Sequence, residues 1–205
     1  MDGQEYLNQI SASNRTNDQS KGKNFLTSKY FLFGAGAVVA LIVIMIIGAV
    51  LSSGKSSEKD NSISLMLHVT NTVTTVDEYQ QYIKSSDLRS SSSSFSGVLH
   101  NTEKDLLPYL ESKYNYDAKK VSDKILTKTT SDNEALNNEL FEAKINGILD
   151  RIFAHKMAYE ITMIMAEESQ IIKTTKNDGY RDLLNTSYSS LENLYNKFSD
   201  FSETK

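Results

Sequence analysis

The chain has 205 residues, a formal net charge of −4, one proline, nine glycines and no cysteine. Without cysteine, disulfides, thiolate nucleophiles and cysteine-based metal sites are excluded. The mild charge does not predict a nucleic-acid partner. Turn residues are scarce and apolar residues recur at helical spacing, so the sequence predicts an all-α protein.

Residues 1–29 are polar, rich in Asn, Ser, Gln and Lys, and lack a repeating apolar face. This composition predicts a disordered tail. The tail is too short to hold a kinase, a DNA-binding fold or another folded output domain. A complete signalling receptor in one chain is therefore not expected.

A segment of 22 residues, Tyr30–Leu51, carries no charge. At 1.5 Å per residue a helix of this length spans about 33 Å, which matches the roughly 30 Å hydrocarbon core of a bilayer. We therefore predict a single transmembrane helix that acts as a signal anchor. A cleaved signal peptide is the alternative, because small residues precede Ser52, but the apolar region of a signal peptide is shorter, about 7–15 residues.

Basic residues flank this segment unequally. Those within 15 residues are Arg15, Lys21, Lys23 and Lys29 on the N-terminal side, and Lys55 and Lys59 on the other. Positive charge is retained preferentially in the cytoplasm. The sequence thus predicts a single-pass protein of the cell membrane, with its N-terminus in the cytoplasm and its C-terminal domain outside.

After the anchor, residues 52–61 are predicted to be a flexible tether with mixed charge. Residues 62–205 are predicted to form an extracytoplasmic helical domain, whose first helix runs from Ser62 to about Lys84. Residues 85–96 contain eight serines, which predicts a solvated loop between helices. An O-glycosylated segment is the alternative, although such stalks usually contain proline.

The next helix is predicted from about Phe95, with a kink or restart at Pro108, which lacks a donor N–H and clashes with the preceding turn. Residues 115–117 (Asn-Tyr-Asp) predict a break with an N-cap, followed by a short helix to about Thr130.

A second cap signal at Ser131–Glu134 predicts a helix of about 40 residues that ends near Thr174 and is closed by residues 177–179. Its middle, Ile145–Met165, is apolar on nearly every side, which is typical of the central helix of a bundle. The two shorter helices would stack end to end along it, and a last amphipathic helix would begin at Tyr180. The predicted fold is an elongated antiparallel bundle of about four to five helices with coiled-coil-like packing.

No nucleotide-binding loop, nucleophile elbow or zincin motif occurs, and there is no Glu-x-x-His pair of the kind that holds two metal ions in a helical bundle. The three histidines, His68, His100 and His155, fall on different predicted helices. His155 is predicted to point inward as a hydrogen-bonded core residue, Glu167 and Glu168 to lie on a solvated face, and the methionines at 157, 163 and 165 to fill gaps in the core. No catalytic residue, cofactor or metal site is predicted.

Three classes of function remain. The sequence favours a non-enzymatic envelope protein whose bundle serves protein–protein interaction or envelope structure. Its partners would be the bilayer and another envelope or membrane protein, or a second copy of itself. The second class is a ligand-binding or sensor module that acts through a separate membrane partner, which an apolar cavity among the helices would favour. An enzyme or metalloprotein is the third.

Overall fold

The computed structural model describes residues 57–201, and this part of the chain is an all-helical bundle. It comprises α1 (Glu58–Tyr79), α2 (Ser86–Tyr114), α3 (Asp123–Ile145), α4 (Leu149–Thr174) and α5 (Asp178–Ser199). Short 3₁₀ turns follow α1 at Gln80–Tyr82 and precede α3 at Ala118–Lys120. The predicted membrane segment 30–51 lies outside the described residues. No helix within residues 57–201 is both long enough and apolar enough to cross a membrane.

Side-chain caps fix where three of the helices begin. Ser57 accepts a hydrogen bond from the N–H of Asp60 (3.1 Å), Ser85 from Leu88 (3.3 Å), and Asn177 from Tyr180 (2.9 Å). Each bond satisfies a backbone N–H that has no partner inside the helix. The three caps thus define the first residues of α1, α2 and α5.

Hydrogen bonds between helices give their directions. Glu58 at the start of α1 accepts from Tyr114 at the end of α2 (2.7 Å). The carboxylate of Asp150 at the start of α4 accepts from the N–H groups of Lys84 (3.0 Å) and Ser85 (2.7 Å), just beyond the end of α1. Both α2 and α4 therefore run antiparallel to α1.

The remaining two helices run parallel to α1. On α5, the Tyr180 hydroxyl donates to Ser62 (2.9 Å). On α3, the Tyr79 hydroxyl of α1 donates to the carbonyl of Asn137 (3.1 Å). Four helices, α1, α2, α4 and α5, surround the core, and α3 packs outside them against α1 and α4.

Aromatic rings from three helices meet in the core. Phe198 of α5 lies edge-on to Phe95 of α2, with ring centroids 5.6 Å apart, and 6.5 Å from Phe153 of α4. All three side chains are buried. Burying each of them stabilises the fold by about 1.5–3 kcal/mol.

The predicted serine loop at 85–96 is wrong, because this segment forms the first three turns of α2. Ser91 and Ser92 donate to the carbonyls four residues earlier, at 2.9 and 2.8 Å, which satisfies their hydroxyls within the helix. Leu88, Phe95 and Leu99 form a buried stripe on the same helix. Burial of this stripe outweighs the weak helix propensity of serine.

The predicted restart at Pro108 is also wrong, because α2 continues through this residue to Tyr114. Pro108 is exposed, whereas Leu106 and Leu110 are buried on the opposite side. The loss of one backbone hydrogen bond is offset by the burial of these neighbours. The predicted break at 115–117 is confirmed: Asn115 ends α2 in the left-handed region, with φ 51°.

The predicted 40-residue helix is wrong as well. The chain reverses at residues 146–148, so α3 and α4 are two antiparallel helices. Gly147 has φ +72°, its N–H bonds the carbonyl of Lys144 (3.2 Å), and the N–H of Ile148 bonds that of Ala143 (3.0 Å). This is a Schellman ending, which needs a residue that tolerates positive φ.

Three further boundaries differ from the predictions. α3 is continuous across 131–134, so the short helix predicted to end at about Thr130 is the N-terminal part of α3, and the 40-residue helix along which it was predicted to stack does not exist. α1 begins at Glu58, so residues 58–61 of the predicted tether are helical. Asn177 begins α5 and does not close the preceding helix. Acidic residues in the first turns of α1 and α5 favour these starting points through the helix dipole.

Candidate functional site

A cleft of about 480 Å³ lies between α1, α3 and α4. It exists because α3 is held to the bundle by its C-terminal half, where its buried residues Leu136, Leu140 and Ala143 all lie. The N-terminal half of α3 stands over α1 and α4 without burying a side chain. The cleft is lined mainly by polar residues: Ser64, His68, Asn71, Thr72, Lys128, Thr129, Asp132, Asn133, Ala135, Leu136, Glu139, Lys156, Tyr159, Glu160, Met163 and Glu167.

His68 of α1 is held between two carboxylates of α4. Its Nε2 lies 2.7 Å from Glu160 Oε2, and its Nδ1 lies 3.2 Å from Glu167 Oε2. The side chains of His68, Glu160 and Glu167 are 18%, 13% and 22% exposed. Glu160 and Glu167 are seven residues apart, two turns of helix, so both project toward α1.

These contacts set the charge of His68. Burial alone would lower the pKa of its imidazole, but the charges and hydrogen bonds of Glu167 and Glu160 outweigh burial and raise the pKa to about 10. The ring is therefore protonated at neutral pH, with an N–H on each nitrogen. This matches the two acceptors that flank it, so the three side chains form a charged bridge between α1 and α4.

This bridge is not a metal-binding arrangement. A protonated imidazole has no lone pair to coordinate a metal ion, and the two carboxylates lie against opposite nitrogens of the ring. No group of three His, Asp or Glu side chains in residues 57–201 is placed to hold a metal ion. The absence of a metal cofactor from the whole protein stays a prediction.

The outer wall of the cleft is polar and more open. Lys156 of α4 forms an ion pair with Glu139 of α3. Thr75 of α1 donates to the side-chain oxygen of Asn133 on α3 (3.1 Å). Tyr159 stands at the rim and is 54% exposed. The cleft thus offers an aromatic rim, hydrogen-bonding side chains and charges of both signs to a small polar molecule.

The sequence analysis considered His68 and Glu167 separately and did not predict the bridge that they form with Glu160. The three histidines do lie on different helices, α1, α2 and α4. His155, predicted to point inward, is exposed, which corrects that prediction. His155 shares its face of α4 with Ile152 and Tyr159, and this face is not the core face, because Ile152 is half-buried and Tyr159 is exposed. Met157 and Met165 are fully buried gap-filling residues, as predicted, whereas Met163 is half-buried and lines the cleft.

Glu168 also departs from its prediction, because its side chain is buried in the core and not solvated. The residue has no exposed surface, and neither carboxyl oxygen has a hydrogen-bond partner. Burial raises the pKa of Glu168 to about 8; the nearby Glu167 adds to this effect, and the Ser187 hydroxyl opposes it. A sequence signal did exist: Glu168 follows Ile161 and Ile164 at spacings of seven and four residues, on their buried stripe.

A second surface feature lies at the end of the bundle where α1 and α3 finish. Phe141 and Ile145, one helical turn apart on α3, are 52% and 63% exposed. The ammonium of Lys144 lies 3.3 Å from the ring centre of Tyr82, itself 42% exposed. We call Tyr82, Phe141 and Ile145 the distal patch, since it lies at the end opposite the first residue of α1.

No protein-family model, curated protein or solved structure matches this chain.

Proposed function

We propose that this chain is a membrane-anchored, non-enzymatic protein whose helical bundle binds another protein outside the cytoplasm. The uncharged segment Tyr30–Leu51 would serve as the anchor, and the four-to-two excess of flanking basic residues would keep the N-terminus inside. The partner would be another envelope or membrane protein, or a second copy of the chain.

The distal patch is the observation that supports a binding role. An exposed Phe and Ile on adjacent turns of one helix form an apolar pair in contact with water. Clustered exposed apolar and aromatic side chains are typical of the centre of an interface. α1 begins where the chain arrives from the proposed anchor, and its 22 residues extend about 33 Å. The patch lies at the end of the bundle opposite the first residue of α1, Glu58, and would be the surface that meets a partner.

The topology is tested by labelling intact cells with a membrane-impermeant amine reagent and locating the modified lysines by mass spectrometry. The exposed Lys119 and Lys120 are expected to be modified, whereas Lys21 and Lys23 in the tail are expected to be protected. Permeabilised cells give the control, in which all four react. Modification of the tail but not of the bundle in intact cells would overturn the orientation and the proposal.

The binding role is tested with the full-length chain carrying Phe141→Asp and Ile145→Asp. We expect loss of partner cross-links, or of self-association in sedimentation, with an unchanged helical signal in circular dichroism. Leu126→Asp is the matched control, because Leu126 is 45% exposed on the same helix but far from the patch. Equal retention of cross-links by both variants would remove the patch from the proposal.

The cleft favours a second candidate, a ligand-binding or sensor module. Its volume of about 480 Å³ is within the range of about 300–1,000 Å³ common for small-molecule sites. The test is a thermal-shift screen of small amines, amino acids and carboxylates. A true ligand should stabilise the wild type but not Ala135→Phe, because a phenylalanine at this exposed position of α3 would occupy part of the cleft. A compound that stabilises both equally binds elsewhere.

A further inference from the structure

Glu168 occupies a position where neither oxygen of its carboxyl has a hydrogen-bond partner. It lies on α4, faces the core, and has neither an exposed atom nor a hydrogen bond. A carboxyl in such surroundings is stable only in its neutral form, because the charged form loses its hydration without compensation. The bundle as described is therefore the structure of the protonated state.

The groups around Glu168 offer no positive charge that would change this. On α4 itself the neighbour is Glu167, a like charge, and on α5 they are the Ser187 hydroxyl and the phenols of Tyr180 and Tyr188. On α1, the positive charge of His68 is already paired with Glu160 and Glu167. α3 presents Lys128 and Asp132 to the cleft, and α2 presents Asp105 to a separate groove.

That separate groove marks a route by which water would reach Glu168. It runs between α2 and α5, has a volume of about 410 Å³, and is lined by residues that include Asn101, Thr102, Asp105, Thr186 and Ser187. The hydroxyls of Thr102 and Ser187 are hydrogen-bonded to each other at 2.8 Å. Both side chains are nearly buried, at 4% and 6% exposure, so the pair closes the floor of the groove.

Ser187 of α5 connects the groove to the buried Glu168. Ser187 lines the groove, and its hydroxyl also favours the ionised form of the Glu168 carboxyl, so it is close both to the groove and to the buried acid. An ionised Glu168 would compete with Thr102 for this hydroxyl and would draw water through the same opening. The α2–α5 contact is thus the one that ionisation disturbs most directly.

We propose that Glu168 is a proton-controlled latch, whose ionisation breaks the Thr102–Ser187 bond and opens the bundle between α2 and α5. α5 is the moving element, because it carries Ser187 of the Thr102–Ser187 bond and is joined to α4 through the three residues 175–177. The proposal is independent of the anchor and of the distal patch. The burial-raised pKa of about 8 places the opening in mildly alkaline solution.

The test uses spin labels, which the absence of native cysteine makes straightforward. Cysteines replace the exposed Asn101 on α2 and Thr186 on α5 in the full-length chain, and a nitroxide is attached to each. Dipolar broadening between the labels is then recorded from pH 6 to pH 10. We expect strong broadening at low pH that is lost with a midpoint near 8.

Two variants decide the assignment. Glu168→Gln, which mimics the protonated acid, should keep the broadening at every pH. Glu167→Gln should keep the transition but at a lower pH, because the like charge that opposes ionisation is gone. Broadening that does not change with pH in the wild type, or a transition that persists in Glu168→Gln, would overturn the latch.

Discussion

The four core helices and α3 are attached to the same bundle in different ways. Along α4 the buried residues extend from Leu149 to Ile171, nearly the whole helix, whereas α3 buries side chains only between Leu136 and Ala143. The core helices are thus fixed along their length and α3 is fixed at one end. The comparison shows where a cleft is able to form: beneath the half of a helix that does not pack into the core.

Phe153→Ala on α4 is the change expected to separate the two regions most strongly. Phe153 is fully buried and packs near Phe198, so the substitution should lower the free energy of unfolding by about 3–5 kcal/mol. Phe141→Ala on α3 should change it by less than about 0.5 kcal/mol, since Phe141 is exposed. Urea unfolding followed by circular dichroism measures both. Similar losses for the two variants would show that α3 is packed as tightly as the core.

The second prediction concerns the pH dependence of the core. The pKa of Glu168 is raised by burial to about 8 in the folded protein, above its ordinary value of 4.5. The contribution of Glu168 to the free energy of unfolding is therefore complete below pH 4.5, and it is lost as the pH rises to about 8. Over that window the wild type should lose on the order of 5 kcal/mol relative to Glu168→Gln. Parallel pH profiles of the two proteins in urea unfolding would contradict the burial of this acid.

The core is also the region where sequence was most informative. The helical class and the amphipathic stripe of α5 followed from apolar spacing, because a helix must bury one face, and the break at Asn115 followed from the cap signal at residues 115–117. The serine segment was misassigned because local propensity was weighed without the stripe formed by Leu88, Phe95 and Leu99. A single stripe of this kind decides the structure of a segment even where eight serines argue against it.

The cleft could not be predicted, for a different reason. Its geometry depends on the turn at Gly147, which reverses the chain and places α3 beside α4. Asn146–Gly147 is an ordinary helix-ending signal, but the apolar run on both sides of it has helical spacing and predicts continuity. The pairing of His68 with Glu160 and Glu167 was missed for another reason: it joins α1 to α4, and a sequence pattern does not show which faces of two helices distant in the chain meet.

The third prediction tests the bridge at the boundary between the two regions. His68→Gln removes the positive charge between Glu160 and Glu167 and leaves both carboxylates without it. We expect a loss of about 1–3 kcal/mol, smaller than for a fully buried pair because these side chains keep some exposure.

The pH dependence of that loss has a definite sign. Because the pKa of His68 is raised from 6.5 to about 10 in the folded protein, the stabilisation is complete below pH 6.5 and disappears as the pH rises through 10. The free energies of unfolding of wild type and variant should therefore differ strongly at pH 6 and only slightly at pH 10. An equal difference at both values would mean that His68 acts through packing and not through charge.

The smallest effects are expected from two glycines that differ in backbone conformation. At Gly147 the φ of +72° is unfavourable for any L side chain, and no atom lies within 4 Å of an added Cβ, so Gly147→Ala is opposed by the backbone alone. A loss of about 1 kcal/mol is expected.

Gly97, in the exposed part of α2, also has open space around an added Cβ but has ordinary helical geometry. Gly97→Ala should therefore stabilise the protein, by about 0.5–1 kcal/mol, because alanine loses less conformational freedom in a helix. The same chemical change should thus have opposite signs at the α3–α4 turn and within a core helix, and urea midpoints measured side by side resolve this. If Gly147→Ala were neutral, the turn would not need its left-handed residue, and the separation of α3 from α4, on which the cleft depends, would lose its local cause.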